Sequence, residues 1–313
     1  MTRLSKFRAC PLCEAICGLE LQYEAGNLTA IRGDEADPFS RGHICPKGNA
    51  ILDLENDPDR LRRPMRRIGD DWQEIGWDEA FTLVGERLAA IQAEHGPDSV
   101  AAYLGNPNVH HFGHIAYLPF LLKLVRSRNV FSASSVDQWP HQLVNAQMYG
   151  HQFLLPVPDI DNTDYFLMLG ANPIASNGSL MTVPDVRERI KALTARGKLT
   201  VIDPRRTETA LLASAHHFIK PAGDVYFLIA FMQVLMQAGE ARIEAYAGKL
   251  NGFAEALSAI SAFRIENLQA LTGIAPETIT ALAGDFYRAD SAVAYGRMGV
   301  SVQAHGTLCQ WLM

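Results

Sequence analysis

The chain has 313 residues, 48% of them hydrophobic and 20% charged, which is enough apolar material for a core and too much chain for one small module. Lys plus Arg number 28 against 34 Asp plus Glu, a net charge of −6 without any block of like charge, so a dedicated nucleic-acid binder is excluded. The longest apolar run, Val225 to Ala238, is shorter than the ~20 residues of a membrane-crossing helix and holds two Gln. It reads as a buried helix, and no membrane span is expected.

In chain order, the N-terminus MTRLSKFRACPLC has neither an apolar signal core nor a twin-arginine pair. A cytoplasmic protein without disulfides is expected. Residues 1 to about 60 consist of short β-prone pieces (Gly18 to Tyr23, Leu28 to Arg32) among Gly, Asp, Pro and Asn, a small β-rich lobe. Asp57 to Arg67 is basic and Pro-punctuated. It reads as a solvated linker or a crossing over an anionic ligand.

From Trp77, Phe81, Val84, Leu88 and Ile91 recur at helical spacing behind an Asp78 N-cap, and Gly96-Pro97 closes the segment. A buried strand over Ser99 to Gly105 and a helix over Ile115 to Arg126 are predicted next. The alternation continues with strand Tyr165 to Gly170, helix Pro184 to Ala195, strand Leu199 to Asp203, strand His217 to Lys220 and helix Asp224 to Gln237. Helix Pro276 to Arg288 and strand Ala292 to Gly296 follow. The fold class is therefore α/β: a small β-rich lobe, then doubly wound, Rossmann-like parallel-sheet domains. Its divisions are 1–60, 61–140 and 141–313. The closing GTLCQWLM is apolar and uncapped, which suggests a truncated chain or a docked C-terminal segment.

Four of the five cysteines, Cys10, Cys13, Cys17 and Cys45, form C-x2-C-x3-C-x27-C with Pro46 directly after. Three thiolates in a tight knuckle and one distant partner suit a [4Fe-4S] cubane better than zinc, which favours paired C-x2-C or mixed Cys/His sets. His43 is a substitute ligand that four cysteines make unnecessary. Lys47 is either a solvated lysine or a positive charge that raises the cluster's potential. Cys309, far from the pattern, reads as a core residue.

Three loops follow predicted strands. Gly170 to Ser179 (GANPIASNGS) has the Gly and small residues that let backbone amides approach a phosphate. Asp203-Pro204-Arg205-Arg206-Thr207 offers an acceptor for sugar or base donors and arginines for phosphate, or is a charged turn. In Pro221-Ala222-Gly223-Asp224, the aspartate is an N-cap or a base-edge acceptor.

Together, the cysteine pattern closing in CPKG at Cys45 to Gly48 and the ordered loops G-x-N-P, D-P-R-x-T and P-x-G-D resemble the molybdopterin oxidoreductase family. Formate dehydrogenases and assimilatory nitrate reductases are members, and the resemblance spans essentially the whole chain. It implies a [4Fe-4S] cluster held by Cys10, Cys13, Cys17 and Cys45, and molybdenum or tungsten on bis-molybdopterin guanine dinucleotide. Lys47 would take an electron-transfer position between the two. Gly170, Asn172 and Pro173, with Asn177 and Gly178 in the same loop, would bind a pyrophosphate. Asp203, Arg205 and Asp224, with Pro204, Thr207, Pro221 and Gly223 in their motifs, would hold ribose and guanine. Gly296-Arg297-Met298-Gly299 looks like the family's later pterin-contacting turn, or is a structural turn.

Ser132 to His151 has no cysteine where the family often places its metal ligand. Counting back from Gly150 puts Asp137 at that position; Ser134, Ser135 or no protein ligand are alternatives, as is Asp137 as an N-cap. His110, His111, His114 and His141 are candidate proton carriers or helix-packing residues. His216 and His217 read as structural. The implied activity is a two-electron oxidation or reduction of a small molecule, with electrons leaving through the cluster to a redox partner protein or subunit. The alternative is a non-catalytic iron–sulfur relay subunit, like the large subunit of respiratory NADH dehydrogenase. Formate ranks low, because the formate-type ligand followed by histidine is missing.

Overall fold

The computed structural model describes residues 3–239, 243 and 248–313, in two compact units, Met1–Ala133 and Ser134–Met313. The first opens with an antiparallel meander of β1 (Arg3–Ala9), β2 (Gly18–Glu24) and β3 (Asn27–Gly33). Alternation drives it: Leu19 and Leu21 are buried on β2, and Ile31 joins them from β3. Ala25 and Gly26 both take positive φ between β2 and β3, as a two-residue hairpin turn requires. β1 was not among the expected strands; its polar sequence hides a strand that pairs with β2 along its whole length.

Short helices α1 (Pro46–Asn49) and α2 (Ile51–Asn56) follow. The basic stretch is no plain linker, because it runs into a hairpin of β4 (Met65–Ile68) and β5 (Asp71–Glu74). Its arginines meet carboxylates: Arg60 and Arg62 pair with Glu55, Arg63 with Glu74, Arg66 with Glu79. Helix α3 (Trp77–His95) starts from Gly76, so Asp78 lies inside the first turn and is not the N-cap. There its charge still favours the helix dipole. Gly96, at φ 86°, ends the helix as expected. The strand expected over Ser99 to Gly105 is shorter and not buried: β6 (Ala102–Leu104) carries Tyr103 at 75% exposure. Helix α4 (Phe112–Val125) leads to β7 (Val130–Ser132), which pairs parallel with β6.

The second unit begins with α5 (Trp139–Tyr149), a helix the sequence reading did not include. Then come β8 (Tyr165–Leu169), α6 (Pro173–Ser176), α7 (Val186–Arg196), β9 (Lys198–Ile202), β10 (Ala215–His217) and α8 (Asp224–Ala238). After them lie α9 (Phe253–Ala262), α10 (Leu268–Thr272), α11 (Pro276–Arg288), β11 (Ala292–Gly296), α12 (Met298–Ser301) and α13 (Gly306–Leu312). The strands form one all-parallel sheet, in the order β10-β9-β8-β11. β10 ends at His217 and does not continue to Lys220, and Phe218 is exposed just beyond it.

Every residue of β8 is buried, because helices cover both faces. Leu167 and Leu169 meet Phe227 and Phe231 of α8 and Leu282 of α11, while Phe166 and Met168 meet Ile190 and Leu193 of α7. This is the continuous apolar strand of a doubly wound sheet. The C-terminal segment is docked: Cys309 and Leu312 of α13 are buried in the α8 core. Among the described residues no helix is long and apolar enough to cross a membrane.

Candidate functional site

In the first unit, the β1–β2 connection brings three cysteines into one knuckle. Cys10 N–H donates to the Cys17 carbonyl at 2.8 Å, and Ile16 N–H to that of Cys13 at 3.2 Å, folding the loop back on itself. Cys10 and Cys17 are buried with Leu19 and Ile31, and Cys13 and Ile44 pack against them. Cys45, from the turn before α1, joins them electrostatically: burial pushes the Cys17 thiol up to about 11, and the Cys10, Cys13 and Cys45 sulfurs add to the rise. Cys10 is raised for the same first reason. Four thiols thus converge in a small apolar pocket where none forms a disulfide. That donor set fits an iron–sulfur cluster, which takes the thiolates and cancels the charge that burial disfavours. Among the described residues no three His, Cys, Asp or Glu side chains are close enough to hold a single metal ion.

Gly48, one turn past Cys45, is buried, and Lys47 beside it is exposed on α1. His110 belongs to this knuckle: its ring is 7% exposed, with Nε2 at 3.7 Å from Oε1 of Glu14, the residue after Cys13. His111 and His114 are exposed, with their rings 4.7 Å apart.

In the second unit, the chain leaves β8 for one side of the sheet, while its other neighbour β11 comes from the opposite direction in the winding. At this switch point, beyond the carboxyl ends of the strands, open parallel sheets bind their ligands. A cleft of about 680 Å³ lies there. Gly170, Asn172, Asp203, Pro204, Arg205, Thr207, Pro221, Asp224, Arg297 and Gly299, all singled out from the sequence, line it. So does Asp137.

The structure leaves four residues of the expected set out of the lining. Pro173 is buried at the start of α6. Asn177 and Gly178 form the turn after it, both at positive φ, and a Cβ on Gly178 would fall 2.1 Å from the Val183 carbonyl oxygen. Gly223 lets the chain pass against the carbonyls of Lys220 and Leu271. Their reason for being where they are is backbone geometry.

Two carboxylates form the polar wall. Asp203 is 9% exposed and accepts the Arg205 backbone N–H at 2.8 Å; Asp224 is 6% exposed and accepts from Gln303 Nε2 at 3.0 Å. Burial pushes both carboxyls above the ordinary range, opposed by those hydrogen bonds, and the charge of Asp203 adds to the rise at Asp224. Asp224 follows the N-cap position, which Gly223 holds. Gln303 Oε1 is buried without a hydrogen-bond partner, an acceptor waiting in the cleft wall. His216 contributes from outside, with Nε2 3.1 Å from the Asp203 carbonyl oxygen.

Asn172 is a tie between loops. Its Nδ2 donates to Glu208 Oε2 at 2.7 Å, and its Oδ1 accepts from Thr209 Oγ1 at 2.7 Å. Thr209 Oγ1 in turn accepts the Ile174 backbone N–H at 3.2 Å. The loops after β8 and β9 are thereby locked together. Sequence reasoning missed Glu208, Thr209 and Gln303. Only Gln303 left a signal, its four-residue spacing from Gly299, whose carbonyl it also reaches.

Asp137 forms an ion pair: Arg297 Nη1 donates to its Oδ1 at 3.0 Å. Gln138 holds the N-cap position of α5, so Asp137 does not serve there. His141, one turn on, is half-buried beside Arg297, and burial first, then that guanidinium, lowers its pKa below the ordinary histidine value. Its Nδ1, Gln138 Oε1 and both amide atoms of Asn145 are buried without partners on this helix.

Small residues at the loop tips, two arginines for phosphate and two acceptors for base or sugar donors fit a guanine dinucleotide. Comparison with known proteins agrees. The molybdopterin oxidoreductase Fe4S4 domain matches residues 8–57, and the molybdopterin oxidoreductase family matches residues 60–306. The chain is 24% identical over 298 residues to the F420-dependent formate dehydrogenase 2 subunit alpha of Methanococcus maripaludis, covering 95% of this chain and 43% of that protein. It is 31% identical over 228 residues to a nitrate reductase of Shewanella frigidimarina, covering 69% and 23%. Acetylene hydratase from Pelobacter acetylenicus shares the fold, with TM-score 0.76 and 20% identity over 98% of this chain and 42% of that one. The chain therefore spans less than half the length of these relatives. The matched domains imply a [4Fe-4S] cluster and molybdenum or tungsten bis-molybdopterin guanine dinucleotide as cofactors. With both domain patterns covering nearly all of it, the chain belongs to the molybdopterin oxidoreductase family.

Proposed function

We propose that this protein is a molybdenum- or tungsten-dependent oxidoreductase acting on a small molecule, with electrons passing through the cluster to a redox partner protein. The observation that carries this reading is the pairing, in one chain, of a four-cysteine knuckle, with Cys10 and Cys17 buried, and a switch-point cleft walled by two buried carboxylates. The metal, when bound, supplies two-electron chemistry, and the cluster divides the pair into single electrons.

Residues 1–60 serve as the cluster lobe and 141–313 hold the dinucleotide. Cys10, Cys13, Cys17 and Cys45 ligate the cluster. Lys47 holds positive charge beside it, favouring the reduced, more negative state. Gly170, Gly299 and Arg297 face phosphate, while Asp203 and Asp224 accept donors from ribose and guanine. Asp137 offers a carboxylate oxygen to the metal. His141, whose pKa burial lowers, is suited to exchange a proton at Nδ1, the atom left without a partner. His110, with Nε2 3.7 Å from Glu14 Oε1, packs against the cysteine knuckle.

The test is elemental analysis of anaerobically purified protein, with a substrate screen using an artificial electron acceptor. About four irons per chain with molybdenum or tungsten support the reading. Iron without either heavy metal would favour an electron-relay subunit, and zinc without iron would overturn the cluster assignment.

A further inference from the structure

The cleft holds an electrostatic imbalance. Asp137, Asp203 and Asp224 place three carboxylates on its wall, against the two guanidiniums of Arg205 and Arg297. Arg205 is 68% exposed and leans towards Glu208, so Arg297, at 19%, is the sheltered cation. Asp137 already occupies it, through a 3.0 Å hydrogen bond between residues 160 positions apart. A diphosphate entering the cleft must therefore attract a guanidinium that has a carboxylate partner.

Given the dinucleotide reading of the cleft, on which this rests, we infer that Arg297 is shared between Asp137 and the phosphates of the nucleotide, so that Asp137 is the residue that sets phosphate affinity. Removing the guanidinium's attention from Asp137 leaves a partly buried carboxylate without its counter-ion, a costly state. Phosphate binding is therefore weak until something positive meets Asp137. Were a metal held at the Asp137 carboxylate, it would supply the counter-charge that leaves Arg297 free for phosphate. The two ends of the ligand are coupled through one ion pair.

The test is calorimetric binding of GDP and of guanosine to the full chain without added metal, for wild type, Asp137→Asn, Arg297→Gln and the double variant. Asp137→Asn is close to isosteric; Asp137→Ser serves as a second variant should it fail to fold. Asp137→Asn is expected to tighten GDP about ten-fold, with guanosine unchanged within two-fold, since guanosine has no phosphate. Arg297→Gln is expected to weaken GDP at least ten-fold and to reduce the effect of Asp137→Asn to less than two-fold. Unchanged or weakened GDP binding by Asp137→Asn, or an undiminished effect in the Arg297→Gln background, overturns the sharing and leaves the nucleotide site standing. Failure of wild type to bind either GDP or guanosine overturns the nucleotide reading itself.

Discussion

Gly299 donates its backbone N–H to the carbonyl oxygen of Gly170 at 3.0 Å, so the two strand-end loops flanking the switch point touch through their main chains. Gly170 sits at φ +54°, and a Cβ there would fall 2.8 Å from Val300 N and 2.9 Å from Gly299 Cα. The cleft floor is therefore a crossing of two backbones without side chains.

Gly170→Ala is expected to cost roughly 2–4 kcal/mol, because a left-handed residue and an unyielding backbone contact are penalised together. Urea unfolding checks it. A loss below about 0.5 kcal/mol would mean the two loops can part freely.

The tie between Asn172 and the β9 loop should behave as a coupled unit. Asn172→Ala and Glu208→Ala are each expected to destabilise, with Asn172→Ala the more severe, because it also strips Thr209 of its acceptor. A double-mutant cycle should return a coupling of roughly 0.5–3 kcal/mol. Strict additivity would mean that the 2.7 Å contact carries no energy.

Asp224 should trade stability against binding. Its carboxyl lies above the ordinary range when folded, so the folded protein holds the proton more tightly than the unfolded chain. That contribution is complete below the ordinary carboxylate value near ~4 and is lost as pH rises through the raised one. Asp224→Asn keeps an acceptor for Gln303 and escapes the loss. Its ligand-free stability relative to wild type should therefore improve between about pH 4 and 7, while GDP affinity falls at least ten-fold. Denaturation midpoints across that range, with binding at pH 7, decide it; parallel stability curves would contradict burial as the cause.

His141 carries the opposite sign. Burial depresses its pKa, so the unfolded chain takes up a proton that the folded chain refuses, and stability is lost as pH falls below the ordinary histidine value. His141→Phe should flatten the stability profile between about pH 7 and 5. An unaltered slope would show that the ring protonates in place.

The cysteine spacing and the strand-loop motifs were legible in sequence because each is local. C-x2-C-x3-C forces three thiols together whatever surrounds them, and β8, β9 and β11 read correctly since a five-residue apolar run bounded by glycine or aspartate has few other uses. Local signals failed where pairing supplies the reason. Arg3–Ala9 is a strand only because β2 lies beside it, and Ala102–Leu104 is a short exposed strand although its composition suits burial.

What the sequence by itself determined is the inventory: four cysteines in a knuckle, three loops behind three strands, two acidic residues and an arginine at their tips. What only the tertiary structure decided is who meets whom. Asn172 faces Glu208 and Thr209, Asp224 faces Gln303, and Asp137 faces Arg297 across 160 residues. The physical reason is that a charge or an amide acts over a few ångströms, and only the parallel winding of β8, β9 and β11 brings these distant loops within that reach.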